Sequence, residues 1–157
     1  MKDLSLDRSL LPETRQFALN ILDYYKIPSH HYLDECRAIA QFVQKHVIYR
    51  RDPLHSELLQ DPIMMMKRID RDGKCEGDCD DMSLLIACLI LSVGGEPFFR
   101  AVRYGKQSGH YNHIYVVCYD RNGKNQLMRI ALDAIIKDKP IGYEVPHTSG
   151  DEFSVMK

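Results

Sequence analysis

Three side chains, in a fixed order along the sequence, have types suited to covalent chemistry: the thiol of Cys79, the imidazole of His113 and the carboxylate of Asp133. A thiol attacks a carbonyl as its thiolate, so a free pKa of about 8.5 has to be lowered, or a base has to take the proton. The polar stretch from Asp70 to Asp81 runs directly into an apolar segment, which puts Cys79 at or just before a helix N-terminus. There the aligned peptide dipoles place roughly half a positive charge, and outward N–H groups can stabilise an oxyanion. Asp78, Asp80 and Asp81 act in the opposite sense, because negative charge beside a thiol raises its pKa. A cationic partner is therefore needed, and His113 opens the apolar run His-Ile-Tyr-Val-Val-Cys-Tyr. The next apolar run ends in Ala131-Leu132-Asp133. If Asn122-Gly123 joins the two runs as a hairpin, Asp133 returns beside His113 and can orient the imidazole. Nucleophile, base and orienting group are then all present.

Those three residues depend on the elements that carry them. Pro12 opens a helical stretch with Ala18, Ile21, Leu22 and Tyr25 at helical spacing, closed by Ile27-Pro28. A second helix from about Tyr32 carries the stripe Cys36, Ile39, Ala40, Val43 and Val47. Asp61-Pro62 reads as an N-cap followed by proline at the first helical position, starting a short helix through Met64–Met66. The segment after Cys79 carries Leu85, Ile86, Leu89, Ile90 and Val93 and is apolar on most sides, as a central buried helix should be; Gly94-Gly95 ends it. From Pro97 the period becomes alternating, with strands expected at Phe98–Tyr104, His113–Tyr119 and Gln126–Asp133. The tail from Lys137 has little periodicity and is expected to be irregular. The predicted class is α+β: N-terminal helices, then a central buried helix packed on a small antiparallel sheet.

Composition limits the alternatives. The 157 residues suit one domain over 1–157, and a formal charge of -1 gives no electrostatic case for nucleic acid. No apolar run approaches the roughly 20 residues of a membrane span, and the start lacks the basic-then-apolar pattern of a secretory signal. These features predict a cytoplasmic chain that binds neither membrane nor nucleic acid. Five cysteines, an odd number scattered among apolar neighbours, do not suggest a disulfide framework. Cys36, Cys88 and Cys118 are expected to be inert core residues.

Gly77-Asp-Cys-Asp-Asp81 followed by an Ala- and Leu-rich helix, Asn112-His-Ile-Tyr115 and Leu132-Asp-Ala134 together resemble the transglutaminase-like superfamily of bacterial cysteine peptidases, whose core is papain-like. The intervals, 34 positions from Cys79 to His113 and 20 from His113 to Asp133, resemble that compact core. Upstream, Phe42–Tyr49, Asp52-Pro53 and Glu57–Pro62 resemble the helix and loop before the cysteine in small members from phages and prophages, and Pro140–Pro146 their closing segment. The resemblance covers about residues 38–146 and leaves a helical N-terminal extension of about 1–30 outside it. It implies thiol acyl transfer without a cofactor or metal, a protein or peptide substrate, and a phage or prophage setting with virion proteins as partners. One departure is the absence of tryptophan, which family members often carry near the site. Oxyanion stabilisation is accordingly assigned to the Cys79 N–H with Tyr49, and substrate contacts to Tyr104, His110, Tyr111 and Tyr115.

The acyl-enzyme can be resolved by water or by an amine. A compact core with no extra domains favours hydrolysis of amide or peptide bonds over protein crosslinking by a transglutaminase. A structural zinc module is a different reading, with Cys75, Cys79, His110 and His113 as four ligand types at short spacing. A catalytically silent virion component that keeps the fold is a third.

Overall fold

The structure is a computed structural model, and it describes residues 1–51, 58–104 and 110–156. Asp52-Pro53 and Glu57, part of the upstream resemblance, lie outside the described residues. Among the described residues, five helices precede a four-stranded antiparallel sheet. They are α1 (Lys2–Ser9), α2 (Pro12–Tyr24), α3 (Tyr32–His46), α4 (Pro62–Asp72) and α5 (Cys79–Ser92). Strands β3 (Phe98–Arg103), β4 (His113–Arg121), β5 (Leu127–Leu132) and β6 (Ser149–Ser154) pair in the order β5-β4-β3-β6. Two short strands, β1 (Val47–Tyr49) and β2 (Cys75–Gly77), form a separate parallel pair.

The centre of the molecule is α5. Every residue from Asp81 to Ile90 is buried, because α1, α2, α3 and α4 pack around this helix and the sheet closes its remaining side. One face of the sheet, with Phe99, Val116, Cys118, Ile130 and Leu132, shares a core with Leu85, Ile86 and Leu89 of α5. That core also contains Ala18 and Ile21 of α2, so the residues before Tyr32 are packed into it. Arg8 of α1 further binds Asp61, the N-cap of α4, at 2.7 Å. The other sheet face, with Val102, Tyr115, Val117 and Ala131, forms a smaller cluster over which the segment after Asp133 passes.

Local signals explain most element ends. Asp61 accepts the Ile63 N–H at 2.9 Å with Pro62 behind it, as the sequence predicts, and α4 continues to Gly73, whose φ of 75° supplies the left-handed cap. The stripe expected on α3 is buried throughout, although its last member, Val47, has left the helix and begins β1.

Four features differ from expectation. An additional helix, α1, precedes Pro12. The polar approach to Cys79 contains β2, held by β1 alongside. The tail is not wholly irregular, because Ser149–Ser154 adds to β3 as an edge strand. The β4–β5 connection is longer than a two-residue Asn-Gly turn: Asn122 Oδ1 accepts the N–H groups of Lys124 and Gln126, and the positive φ, 61°, falls at Asn125. Asn tolerates that conformation better than other non-glycine residues.

Candidate active site

Cys79 is the first residue of α5, and the carboxylates around it have separate duties. Asp78 caps the helix by accepting the N–H groups of Asp80 and Asp81 at 3.0 and 3.1 Å, while Asp81 accepts the Asp78 N–H at 3.2 Å, completing a capping box. Asp81 is 1% exposed and also accepts the backbone and side-chain N–H groups of Gln60, each at 2.7 Å. It thereby anchors the segment ahead of α4 to the start of α5. Gly77 fits this arrangement closely, since a Cβ there would lie 3.0 Å from Asp81 Cβ and 3.2 Å from Met65 Cε and would push both neighbours back by a few tenths of an ångström. Two of the three acidic residues of the box thus have structural duties that the sequence does not separate from chemistry.

The third, Asp80, bears directly on the thiol. Cys79 Sγ donates to Asp80 Oδ1 at 3.6 Å, so its proton is directed toward a carboxylate. The thiol is partly exposed, yet burial of the sulfur first, then the charge of Asp80, pushes its pKa up to about 12; Asp78 adds to the rise and the Ile114 backbone opposes it. The lowering expected from the helix N-terminus is outweighed by burial and by the charge of Asp80. Cys75 is buried on β2 and burial pushes its thiol up to about 11.

His113 and Asp133 come together as the hairpin argument requires. The β4–β5 register pairs Val116 with Leu132, so Asp133 follows directly from the end of β5, and its Oδ2 lies 2.8 Å from His113 Nε2. Both side chains are almost fully buried, at 4% and 1% exposure. Asp133 Oδ1 also accepts the Ile135 N–H at 3.3 Å. With Nε2 engaged, Nδ1 is the imidazole nitrogen that remains for a proton acceptor's role. The start of α5 meets β4 beside this pair: Ser83 Oγ donates to the Ile114 carbonyl at 3.1 Å, and the Ile114 backbone is the one that acts on the Cys79 thiol.

The residues assigned to substrate contacts differ in their surroundings. Tyr104 stacks on His113, with centroids 4.9 Å apart and planes at 28°, and its hydroxyl donates to Asp133 Oδ2 at 3.4 Å. Asn112 holds Tyr104 in place by accepting its N–H at 2.9 Å and donating to its carbonyl at 3.1 Å. Tyr115 is 1% exposed, stacks on His113 at 5.6 Å, and has its hydroxyl engaged by Glu144 and Arg100. Both rings therefore support the imidazole, and Tyr115 is not accessible to a substrate. His110 and Tyr111 are exposed, but the Tyr111 hydroxyl binds Asp151 on β6. Tyr49 is 43% exposed at the end of β1, opposite Gly77 in register, where burial and the charges at Cys79 and Asp78 raise its phenol pKa.

Sequence reasoning missed the network under Tyr115. Glu144 accepts two bonds from Arg129, at 2.9 and 2.8 Å, while Arg100 binds Glu152 at 2.8 Å and His147 at 2.9 Å. These groups come from β3, β5, β6 and the tail, far apart in sequence, so no local pattern announces them. The zinc reading finds no such assembly: among the described residues no three His, Cys, Asp or Glu side chains converge as a metal cluster, and His113 Nε2 is taken by Asp133. No helix among the described residues is long and apolar enough to cross a membrane.

No family profile matches the chain, and no curated protein matches it. Among solved structures it is similar to Legionella pneumophila LapG, with a TM-score of 0.50 and 17% identity over 89% of this chain and 73% of that one. It is also similar to EGTA-treated Legionella pneumophila LapG, with a TM-score of 0.50 and 16% identity over 90% and 72% of the two chains. At this identity the likeness speaks to fold, and with the helix-then-sheet order it establishes an α+β architecture of the papain/transglutaminase-like kind.

Proposed function

We propose that this protein is a thiol-dependent acyl-transfer enzyme that hydrolyses amide or peptide bonds, with Cys79 as nucleophile, His113 as base and Asp133 as the group orienting the base. The observation that carries the reading is the buried His113–Asp133 pair at 2.8 Å, together with a partly exposed cysteine at the first position of a central helix, whose thiol meets the backbone of Ile114, the residue after His113. A fully buried His–Asp pair on a core sheet costs desolvation that a hydrophobic pair would avoid, which suits a retained chemical role better than a stabilising one.

Because the resting thiol is protonated and bonded to Asp80, the base has to act during attack. Sγ turns toward His113, Nδ1 accepts its proton, and sulfur bonds to the substrate carbonyl carbon as the C=O π pair moves onto oxygen. The Cys79 N–H, which the Asp78 cap does not engage, and the Tyr49 hydroxyl are the proposed donors to that oxyanion. Collapse expels the amine, which takes the proton from His113. Water then attacks the thioester, giving one proton to His113, and the thiol recovers it on leaving.

The test is residue-resolved alkylation by iodoacetamide. Cys79 should label faster than Cys75, Cys36, Cys88 or Cys118, and His113→Ala should slow Cys79 by about a hundredfold, the lower end of the range for loss of a positioned base. Equal labelling of Cys75 and Cys79, indifferent to His113, would refute the mechanism.

A further inference from the structure

One concavity among the described residues lies away from Cys79. It is an open groove of about 550 Å³ between α2, α3 and β1, lined by Tyr24, Tyr25, Gln41, Lys45, Ile48 and their neighbours. Its charged lining residues are both lysines, Lys45 and Lys137, and it has no carboxylate lining. Lys137 is fixed there, since its Nζ donates to the Val47 carbonyl at 2.6 Å and to the Gln44 carbonyl, and Gln44 in turn donates to the Ile136 carbonyl at 2.6 Å. Burial alone lowers the Lys137 pKa, with no carboxylate raising it. Lys45 lies over the Tyr24 ring at 5.9 Å. The cations are thus attached to backbone and aromatic groups rather than to acids of the groove.

The backbone of β1 runs from the groove toward the candidate site. Ile48 lines it, the next residue is Tyr49, and Tyr49 pairs with Gly77, two positions before Cys79. From strand rise and strand spacing, Ile48 lies about 10 Å from Cys79, the reach of roughly three extended residues. Among the described residues β1 has a strand neighbour on one side only.

We infer that this groove binds an acidic side chain, Asp or Glu, of an extended peptide whose scissile bond lies about three residues away at Cys79. The inference rests on the acyl-transfer reading for the peptide's register and on the groove's own charge for its chemistry. Lys45 and Lys137 supply the counter-charges, and the tyrosine and glutamine side chains supply neutral donors around them.

The test uses the full-length Cys79→Ala protein, which binds without turnover. Two N-acetylated, C-amidated octapeptides that differ only in three Glu against three Gln are titrated, following backbone amide shifts at low salt, about 0.05 M, where screening is weak. The Glu peptide should bind about fivefold tighter, the scale of one to two partly exposed ion pairs, and shift the amides of Gln41, Lys45 and Ile48. Adding Lys45→Gln, on the exposed face of α3, should shrink that preference to within about twofold while the melting temperature holds. Equal binding of the two peptides, shifts confined to other residues, or a preference indifferent to Lys45→Gln would overturn the inference. So would inorganic polyphosphate binding the groove more tightly than the Glu peptide, which would mark a general anion site. Failure of the acyl-transfer reading appears separately, as Cys79 alkylation in the unmutated protein that ignores His113.

Discussion

Asp80→Asn isolates the electrostatic load on the nucleophile. The carboxylate accepts the thiol hydrogen bond at 3.6 Å and does not belong to the capping box, so the substitution removes charge while Asp78 and Asp81 still cap α5. At that separation a unit charge costs a thiolate about 1 kcal/mol in bulk water and about 4–5 kcal/mol at an effective dielectric near 20. Both groups are partly exposed, so the lower figure governs, and it corresponds to a fall of nearly one pKa unit. A negative neighbour raises a thiol pKa, so its removal lowers it; below the midpoint the thiolate fraction rises about sevenfold. A less basic thiolate is also a weaker nucleophile, by about 2.5-fold over this interval at a Brønsted slope near 0.45. The net expectation is about threefold faster alkylation of Cys79 at each pH from about 7 to 9. Iodoacetamide is suitable because it is neutral, with adducts assigned to individual cysteines by fragmentation mass spectrometry. A rate equal to or below that of the unmutated protein would refute the claim that Asp80 holds the proton on sulfur.

Asp81→Ala strips acceptors from Gln60 and Asp78 at a buried position and should cost about 3 kcal/mol, read as a melting temperature roughly 6–12 °C lower. Tyr104→Phe should leave Cys79 alkylation within about twofold, because a 3.4 Å hydrogen bond is weak, whereas Tyr104→Ala removes the ring packed on His113 and should slow it several-fold. Arg129, the largest influence, holds the Glu144 carboxyl down to about 2. A depressed carboxyl adds stability that is present above its unfolded pKa near 4.5 and is lost as pH falls toward 2. Denaturant midpoints should therefore decline over that window, and Glu144→Gln should flatten the decline while lowering stability at pH 7 by about 2 kcal/mol.

The helix behind Cys79 was legible because a residue set such as Leu84–Ile90, apolar on every side, has only one stable location, the middle of the molecule. The His113–Asp133 encounter was legible for a topological reason, since a short hairpin returns the end of one strand to the start of the other. The roles of Tyr104 and Tyr115 were not. Alternation tells which strand residues share a face, but not that the tail covers that face and turns an apparently available tyrosine into a buried support. β6 was hidden because Ser149-Gly-Asp-Glu-Phe-Ser154 has no β-branched residue, and its extended state depends on β3 and on Arg100 meeting Glu152. In sequence the three carboxylates of the box weigh equally on the thiol, while in the structure Asp78 and Asp81 are committed to capping and Asp80 is the one of the three that contacts sulfur.

The pairing of β6 with β3 separates the two halves of the site in time. Phe98 meets Ser154 across 56 residues (154 minus 98), whereas the capping box at Cys79 closes within four. Loop closure over the longer span is entropically costlier and slower, so the nucleophile's helix end can form from local contacts before the platform beneath the imidazole exists. Pulse-labelled hydrogen exchange during refolding would record this as early protection of Asp80 and Asp81 amides and late protection in β3. A chain synthesised in order would then carry its thiol and its His113–Asp133 hairpin before the platform under Tyr115 is complete, and full reactivity would wait until Ser149–Ser154 has docked.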